Sequence, residues 1–457
     1  MEKNMKLIHE MKQDKAFLKK TAMIAIPIAL QGLLNNVLNF VDTLMISRLD
    51  TTTVAAVGIA NKIFFVVSLL LFGICSGSCI LTSQYWGMRD IKNIKRVVGL
   101  SMLIGVVSAF LFSLVSLLKP HFVMSIFTNS EPTILIGAKY LKIVCISYVL
   151  TAITQVFMSA LRSVNRVKLP VVISCIAIVT NVILNYALIF GKLGFPELGV
   201  EGAALATLIA RIVEVVAMIL LVYIKKSPVS IRLSHLFFYE KNLYSIYFKN
   251  VSPVIMNEFM WGLGITMYSL AYGRMGDNAM AAITITQNIE QILQVVFLGI
   301  SNATAVILGN ELGAGKLKEA EHHAKYILIL QAMLTVAIIT LGLVFMNPLI
   351  AVFQMEEVVS ASIRRCLLVF LAYLFFKVFN TVNIVGILRS GGDTKAALFL
   401  DVTGVWFIGI PMAFLGGLVF HLPIEAVYAM VLSEEIYKMA LGVPRYRKKK
   451  WLRNIVA

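Results

Sequence analysis

Gln31, Asn35, Asn39 and Asp42 recur at intervals of four, four and three residues in an otherwise apolar stretch. At about 100° per residue they fall on one narrow face of a helix. A carboxylate in line with three amides can take up and release a proton or a small cation, whereas lipid offers such a stripe nothing. The plainer alternative for Asp42 is a pair with Arg48 near a membrane interface. A second carboxylate, Glu258, follows Asn257 and shares a helical face with Trp261, Tyr268 and Tyr272. Beside aromatic rings it suits a lipophilic cation through charge, cation–π and apolar contact. Its alternative is a packing role, bonded to a neighbouring helix.

Other polar groups sit in apolar segments and each needs an account, because a charge in hydrocarbon costs several kcal/mol. Asn181 and Asn185 stack one turn apart and, with Thr207, offer oxygen ligands near Asp42; interhelical hydrogen bonding is the alternative. Tyr373, Lys377, Asn380 and Asn383 mark another helix, with Lys377 free to pair with Glu258 or to snorkel. Gln287, Glu290, Gln291 and Gln294 form a polar segment in which Glu290 is a secondary proton-site candidate. Arg211 with Glu214, and Glu434 and Glu435 with Lys438, read as local structural pairs. Asp401 is expected to reach water near a helix end.

The segments that must position these groups are long. The chain has 457 residues, 59% apolar and 14% charged, against about 25% charged in soluble domains, so it is an integral membrane protein. Apolar runs near 22–47, 55–82, 97–118, 134–160, 169–190 and 199–224 each suffice to cross a bilayer. A second set follows near 250–273, 281–308, 325–350, 366–388, 396–418 and 422–441. The expected fold is therefore all-α, with about twelve transmembrane helices. The divisions are a polar N-terminal segment (1–21), a first lobe (22–224), a linker (225–249), a second lobe (250–442) and a basic tail (443–457). The first span is too long for a signal-peptide core and lacks a cleavage site.

The net charge of +17 is distributed over alternate loops. Lys3, Lys6, Lys12, Lys15, Lys19 and Lys20, the 89–96 loop, the linker, Arg389, Lys395 and the tail share one side. The positive-inside rule makes that side cytoplasmic, with both termini on it. The basic excess is thus topological, and nucleic-acid binding is not expected. Linker aromatics from Phe237 to Tyr239 suggest contact with the membrane surface. The five cysteines lie in apolar segments without metal-ligand spacing. No P-loop, zinc motif or nucleophile elbow is present, and the Gly-rich turns at 312–316 and 389–394 follow helices, not strands. The chain is not expected to be an enzyme or to need a cofactor; energy must come from an ion gradient or a separate subunit.

The chain also repeats itself. From Pro27 and again from Pro253, 226 residues later, two stretches align without a gap, sharing Arg48/Arg274, Ala55–Ala56/Ala281–Ala282, Gly73/Gly299 and Gly87/Gly313. One residue out of phase, LRSVNRVK (161–168) matches LRSGGDTK (388–395). An even number of spans per half gives both halves one orientation, a parallel repeat of the kind found in secondary transporters.

Pro27 with VDT (41–43), AAVGIAN (55–61), NVILN (181–185), GFPELGVEGAALAT (194–207), Pro253 with Asn257–Glu258, and LRSGGDT (388–394) together resemble the multidrug and toxic compound extrusion (MATE) transporters. The resemblance covers roughly residues 15–453. It implies two pseudo-symmetric six-helix lobes around a central cleft, and export of organic cations against inward H⁺ or Na⁺. It assigns Asp42 as the first-lobe cation or proton residue, with Asn181 and Thr207 beside it, Pro27 as a bending hinge and Glu258 as the second-lobe acid. Some members carry Asp where this chain has Asn185, and sodium-coupled members of one branch carry Asp on the tenth helix. Here that helix offers only Lys377, Asn380 and Asn383, which leans towards protons.

The leading expectation is a secondary active multidrug exporter in the cell membrane, a monomer. Asp42, Glu258, Asn181, Asn185 and Thr207 would couple the ion, with Na⁺ an option at Asp42, Asn181, Asn185 and Thr207. Gln31, Asn35, Asn39, Trp261, Tyr268, Gln287, Glu290, Tyr373, Lys377, Asn380 and Asn383 would line the substrate cleft. The alternative is a flippase for a lipid-linked saccharide, whose anionic cargo would call for several Arg or Lys in the cleft. A non-transporting scaffold or receptor would have no need of buried carboxylates.

Overall fold

The computed structural model describes residues 9–237 and 240–457. Lys3 and Lys6, like Phe238 and Tyr239 of the linker, lie outside the described residues. Among the described residues twelve long helical segments follow one another, with short helices between some of them. The first six are α1 (Lys15–Ile46), α2 (Thr51–Gly87), α3 (Ile91–Leu118), α4, α5 (Lys168–Phe190) and α6 (Gly199–Ile224). Of these α4 is built from Glu131–Val144 and Ile146–Ser163, bent by 46°. The second six are α7 (Lys241–Gly273), α8 (Asp277–Gly313), α9 (Leu317–Ala351), α10 (Glu357–Leu388), α11 (Thr394–Val419) and α12 (Ile424–Arg447). No strand occurs among the described residues. In hydrocarbon every backbone N–H and C=O must be paired within its own segment, which leaves the helix as the available element.

Among the described residues nine helices are long and apolar enough to cross a bilayer, and the bent α4 makes ten. The remaining two, α7 and α12, have 33 and 24 residues but carry more polar side chains. At about 1.5 Å per residue both exceed the hydrocarbon thickness. α7 begins at Lys241, inside the stretch read from sequence as linker, because Leu243 and Tyr247 of its first turns are buried. α10 ends in a π-helical stretch, Thr381–Leu388, and α11 contains two more, Val405–Gly409 and Leu415–Val419. Such segments free side chains and carbonyls from the regular ladder. Between α1 and α2, Asp50 caps the latter by accepting from the Thr53 amide at 2.7 Å. Hydrogen bonds from Thr53 hold this exposed carboxyl below its usual range.

The chain forms two compact units. The first-repeat unit is Leu30–Ile255; the second-repeat unit comprises the residues up to Ala29 together with Met256–Ala457. The division falls inside α1 and α7, two residues after Pro27 and two after Pro253. A proline inside a helix removes one hydrogen bond of the ladder, so each long helix changes company at its weakest point. Within the first-repeat unit a Cβ on Gly73 would lie 2.7 Å from the Ile255 Cα. Within the second-repeat unit a Cβ on Gly299 would lie 2.8 Å from the Ala25 carbonyl and 3.0 Å from the Ala29 Cβ. Ala29 and Ile255 are repeat equivalents, so the same close helix approach is made twice. Small residues allow this packing where apolar burial offers no drive between helices.

Polar contacts anchor the outer ends of the same two segments. In the first-repeat unit Tyr247 is 3.0 Å from Ser101, and Arg96 pairs with Glu240. In the second-repeat unit His323 stacks on Phe17 at 4.4 Å between ring centroids and lies 2.8 Å from Glu311. Replacing Gly299 by Val should displace the start of α1 and cost about 1–3 kcal/mol as an overpacked contact. Thermal melting in detergent should show a lowered Tm for Gly299→Val and an unchanged one for Gly58→Ala, whose Cβ would meet nothing within 4 Å.

Candidate functional site

A cavity of about 550 Å³ opens in the first-repeat unit, lined by residues of α1, α2, α4, α5 and α6. Asn35, Asn39 and Asp42 reach it from α1, as their spacing predicts, and Asn61 reaches it from the AAVGIAN run of α2. Gln31, the fourth of the stripe, is buried beside it and donates to Ser174 Oγ at 2.8 Å and Met158 Sδ at 3.2 Å.

The carboxylate is held by a chain of amides. Asn185 Nδ2 donates to Asp42 Oδ1 at 2.7 Å and to Asn181 Oδ1 at 3.0 Å. Asn181 Nδ2 in turn approaches Thr207 Oγ1 at 3.5 Å. Asn181 and Asn185, one turn apart on α5, thereby link α1 to α6, and all four residues line the cavity. Asn185 is 1% exposed, and its Oδ1 has no hydrogen-bond partner. A buried acceptor left without a donor costs about 1–3 kcal/mol. Beside a carboxylate, such an oxygen favours a positively charged guest.

Arg211 and Glu214 form the local pair expected from their spacing, at 2.7 Å. Both also face the cavity, which their assignment as structure alone does not anticipate. The cavity wall thus carries two carboxylates, Asp42 and Glu214, against one guanidinium. Tyr140 and Ser147 of α4 complete it; no motif announces them in the sequence.

In the second-repeat unit the buried charges are arranged differently from the sequence reading. Glu258 is paired with Arg389, N to O at 2.8 Å, and Arg389 is 1% exposed. Of the aromatics on its helical face, Trp261 is 40% exposed, while Tyr268 is buried and donates to Glu434 Oε2 at 2.6 Å. Arg389, counted from sequence as a loop charge, is carried back into the protein by the RSGGDT turn. The signal was present in the doubled LRS motif, which puts Arg162 and Arg389 at equivalent positions. Lys377 pairs with Glu290 and not with Glu258. Glu290 also accepts from Gln294 and from Tyr428, each at 2.7 Å.

Asn380 donates to the backbone carbonyl and side chain of Glu435 at 2.7 and 2.8 Å. Asn383 is fully buried, and Gln287 and Tyr373 are half-buried. Asp401, partly exposed near the start of α11, accepts from Asn257 at 3.0 Å and lies 3.8 Å from Lys438. Removing one partner of a buried ion pair strands the other, at a cost of about 3–5 kcal/mol. Arg389→Met should therefore lower Tm sharply, and Glu258→Gln combined with Arg389→Met should recover much of the loss. A double-mutant cycle of melting temperatures checks this.

The MatE family profile matches residues 27–187 and 253–415, one match in each repeat. A probable multidrug resistance protein NorM from Thermotoga maritima is 24% identical over 446 residues, covering 96% of this chain and 94% of that protein. An uncharacterized transporter of Bacillus subtilis, YisQ, is 24% identical, with 91% of each chain covered. In fold, the chain is similar to a variant of the Vibrio cholerae MATE transporter VcmN, with a TM-score of 0.87, 19% identity and coverage of 95% and 97%. It is similar also to a MOP superfamily transporter from Pyrococcus furiosus, with a TM-score of 0.85, 17% identity and coverage of 94% and 95%. The doubled match, falling on the two halves that the sequence repeats and that begin at Pro27 and Pro253, is decisive: the chain belongs to the MatE family of multi-pass membrane transporters and is not an enzyme.

Proposed function

We propose that this chain is a secondary active exporter of amphipathic, mostly cationic organic compounds, with H⁺ or Na⁺ as the coupling ion at Asp42. The observation that carries the reading is the Asn185 Oδ1, buried and unpartnered beside the Asp42 carboxylate. Asp42, Asn185, Asn181 and Thr207 bring oxygens together in a cavity of about 550 Å³, within the size range of small-molecule sites. The excess of carboxylate over guanidinium on its wall favours a cationic guest. It weighs against an anionic lipid-linked saccharide, which would need several basic groups.

Coupling follows if the ion and the organic cation compete for one carboxylate. Loading Asp42 with the ion then weakens substrate binding, and the ion's differential affinity for the two states of the transporter supplies the work. Pro27 serves as the hinge of α1, where the helix lacks one hydrogen bond. Both termini lie in the cytoplasm by the positive-inside rule, and the protein works as a monomer because one chain holds both repeats. The curated relatives named as multidrug resistance proteins support the drug-export reading.

Efflux of a fluorescent lipophilic cation from proteoliposomes, under a pH gradient and a sodium gradient imposed separately, tests this. One gradient should drive efflux, and Asp42→Asn should reduce it about tenfold or more, as losing a coupling free energy of about 1.4 kcal/mol would. Asn185→Leu should weaken ion dependence while leaving insertion intact. No efflux under either gradient, from correctly inserted protein, would overturn the proposal.

A further inference from the structure

The second-repeat unit holds a cluster of charges that the proposed transport reading does not use. Lys438 of α12 lies 3.3 Å from Glu434, 3.9 Å from Glu435 and 3.8 Å from Asp401. Glu434, Glu435 and Lys438 are all under 9% exposed, near the middle of the 24-residue α12. Three carboxylates surround one ammonium, an excess of negative charge that a low-dielectric surrounding does not tolerate.

The repeat shows what this place corresponds to. The offset of 227 that aligns LRSVNRVK with LRSGGDTK also aligns Pro196 with Pro423, and it carries Ser174 to Asp401, Thr207 to Glu434 and Arg211 to Lys438. The offset of 226 carries Gln31 to Asn257 and Asp42 to Tyr268. Contacts follow the same correspondence: Gln31 donates to Ser174 at 2.8 Å, and Asn257 donates to Asp401 at 3.0 Å. The Asp42 site of one unit is therefore matched in the other by Tyr268 and Glu434, with acid and hydroxyl exchanged between the two helices.

A second observation is independent of the charges. Asn257 and Asn380, each 3% exposed, donate through Nδ2 to Asp401 and Glu435 respectively, and each has an Oδ1 without a partner. Each orphan oxygen is the other end of an amide already bonded to the cluster. A carboxylate is an acceptor and cannot satisfy it; protonation is what turns a carboxylate oxygen of the cluster into a donor.

We propose that Glu434 and Glu435, with Asp401 beside them, form a proton-binding site in the second repeat, the counterpart of the Asp42 site in the first. A proton adds to a carboxylate oxygen of the pair, making an O–H bond and turning that oxygen from acceptor to donor. Lys438 and the Tyr268 hydroxyl hold the remaining charge. The groups that share this field are Tyr268 and Tyr272 on α7, Lys377 on α10, Asp401 on α11, and Glu435 and Lys438 on α12. Glu290 on α8 faces it through Lys377 and Tyr428. Gly404 and Gly409 make room: a Cβ on the first would sit 2.5 Å from the Lys438 side chain, and on the second 2.6 Å from Glu434 Oε2.

Infrared difference spectroscopy of the full-length protein in lipid, exchanged between H₂O and D₂O buffers at neutral pH, tests the site directly. A deuterium-sensitive carboxylic acid C=O band is expected, and Glu434→Gln or Glu435→Gln should remove one carboxyl's share of it. Asp42→Asn should leave that share in place, so the result stands apart from the fate of the transport reading. Absence of the band, or a band unchanged in both glutamine variants, would overturn the proposal. Should either variant fold poorly, Tyr268→Phe should shift the band's frequency by removing the hydroxyl donor to Glu434, and an unmoved band would count equally against it.

Discussion

Charge and hydrogen-bonding groups placed in hydrocarbon must find partners inside the protein, and the rest of the structure follows from that demand. Backbone groups meet it by forming helices. Side chains meet it by pairing across helices, as Glu258 does with Arg389, Lys377 with Glu290, and Lys438 with Asp401. Breaking such pairs is expensive, which makes each unit a scaffold with fixed polar contacts between its helices. Against that background, the oxygens of Asn185, Asn257 and Asn380 are among the buried side-chain atoms that have no donor within the protein.

The two repeats solve one geometric problem with different chemistry. Gly73 and Gly299 admit the same close approach of a helix, and Pro27 and Pro253 sit at the same distance from the point where α1 and α7 pass between units. Yet the first repeat places its carboxylate on α1 and its hydroxyl on α6, while the second places a hydroxyl on α7 and a carboxylate on α12. The first bonds its acid to the Asn185 amide beside a cavity that Arg211 also lines. The second sets its acid beside Lys438, the equivalent of Arg211, with two further carboxylates. Duplication preserved the frame, and divergence within it put different chemistry at equivalent positions.

Helix number, the repeat and the polar face of α1 were legible because they depend on local periodicity and on identity between distant segments. Asp42, Asn181, Asn185 and Thr207 could be grouped for the same reason: each lies on a predictable face of a long helix. Glu258 was harder. Its own helix offered aromatic neighbours at the right spacing, and nothing local revealed that Arg389, more than a hundred residues away and next to a Gly-Gly turn, would arrive instead. Lys377 was likewise open to several partners, and only the packing of α8 against α10 selected Glu290.

The sequence by itself determined the membrane environment, the all-helical elements and the doubling, since hydropathy, helix length and repetition are properties of residues in order. Tertiary structure alone decided which charge meets which, because an ion pair between helices depends on rotation and depth to within a few ångströms, and helical periodicity does not fix those. It also decided that Arg211 and Glu214 face a cavity, that Asp401 is engaged by Asn257 and Lys438, and that Glu434 of α12 accepts from Tyr268. A buried charge takes whichever partner the packing brings within reach, and that choice is made in three dimensions.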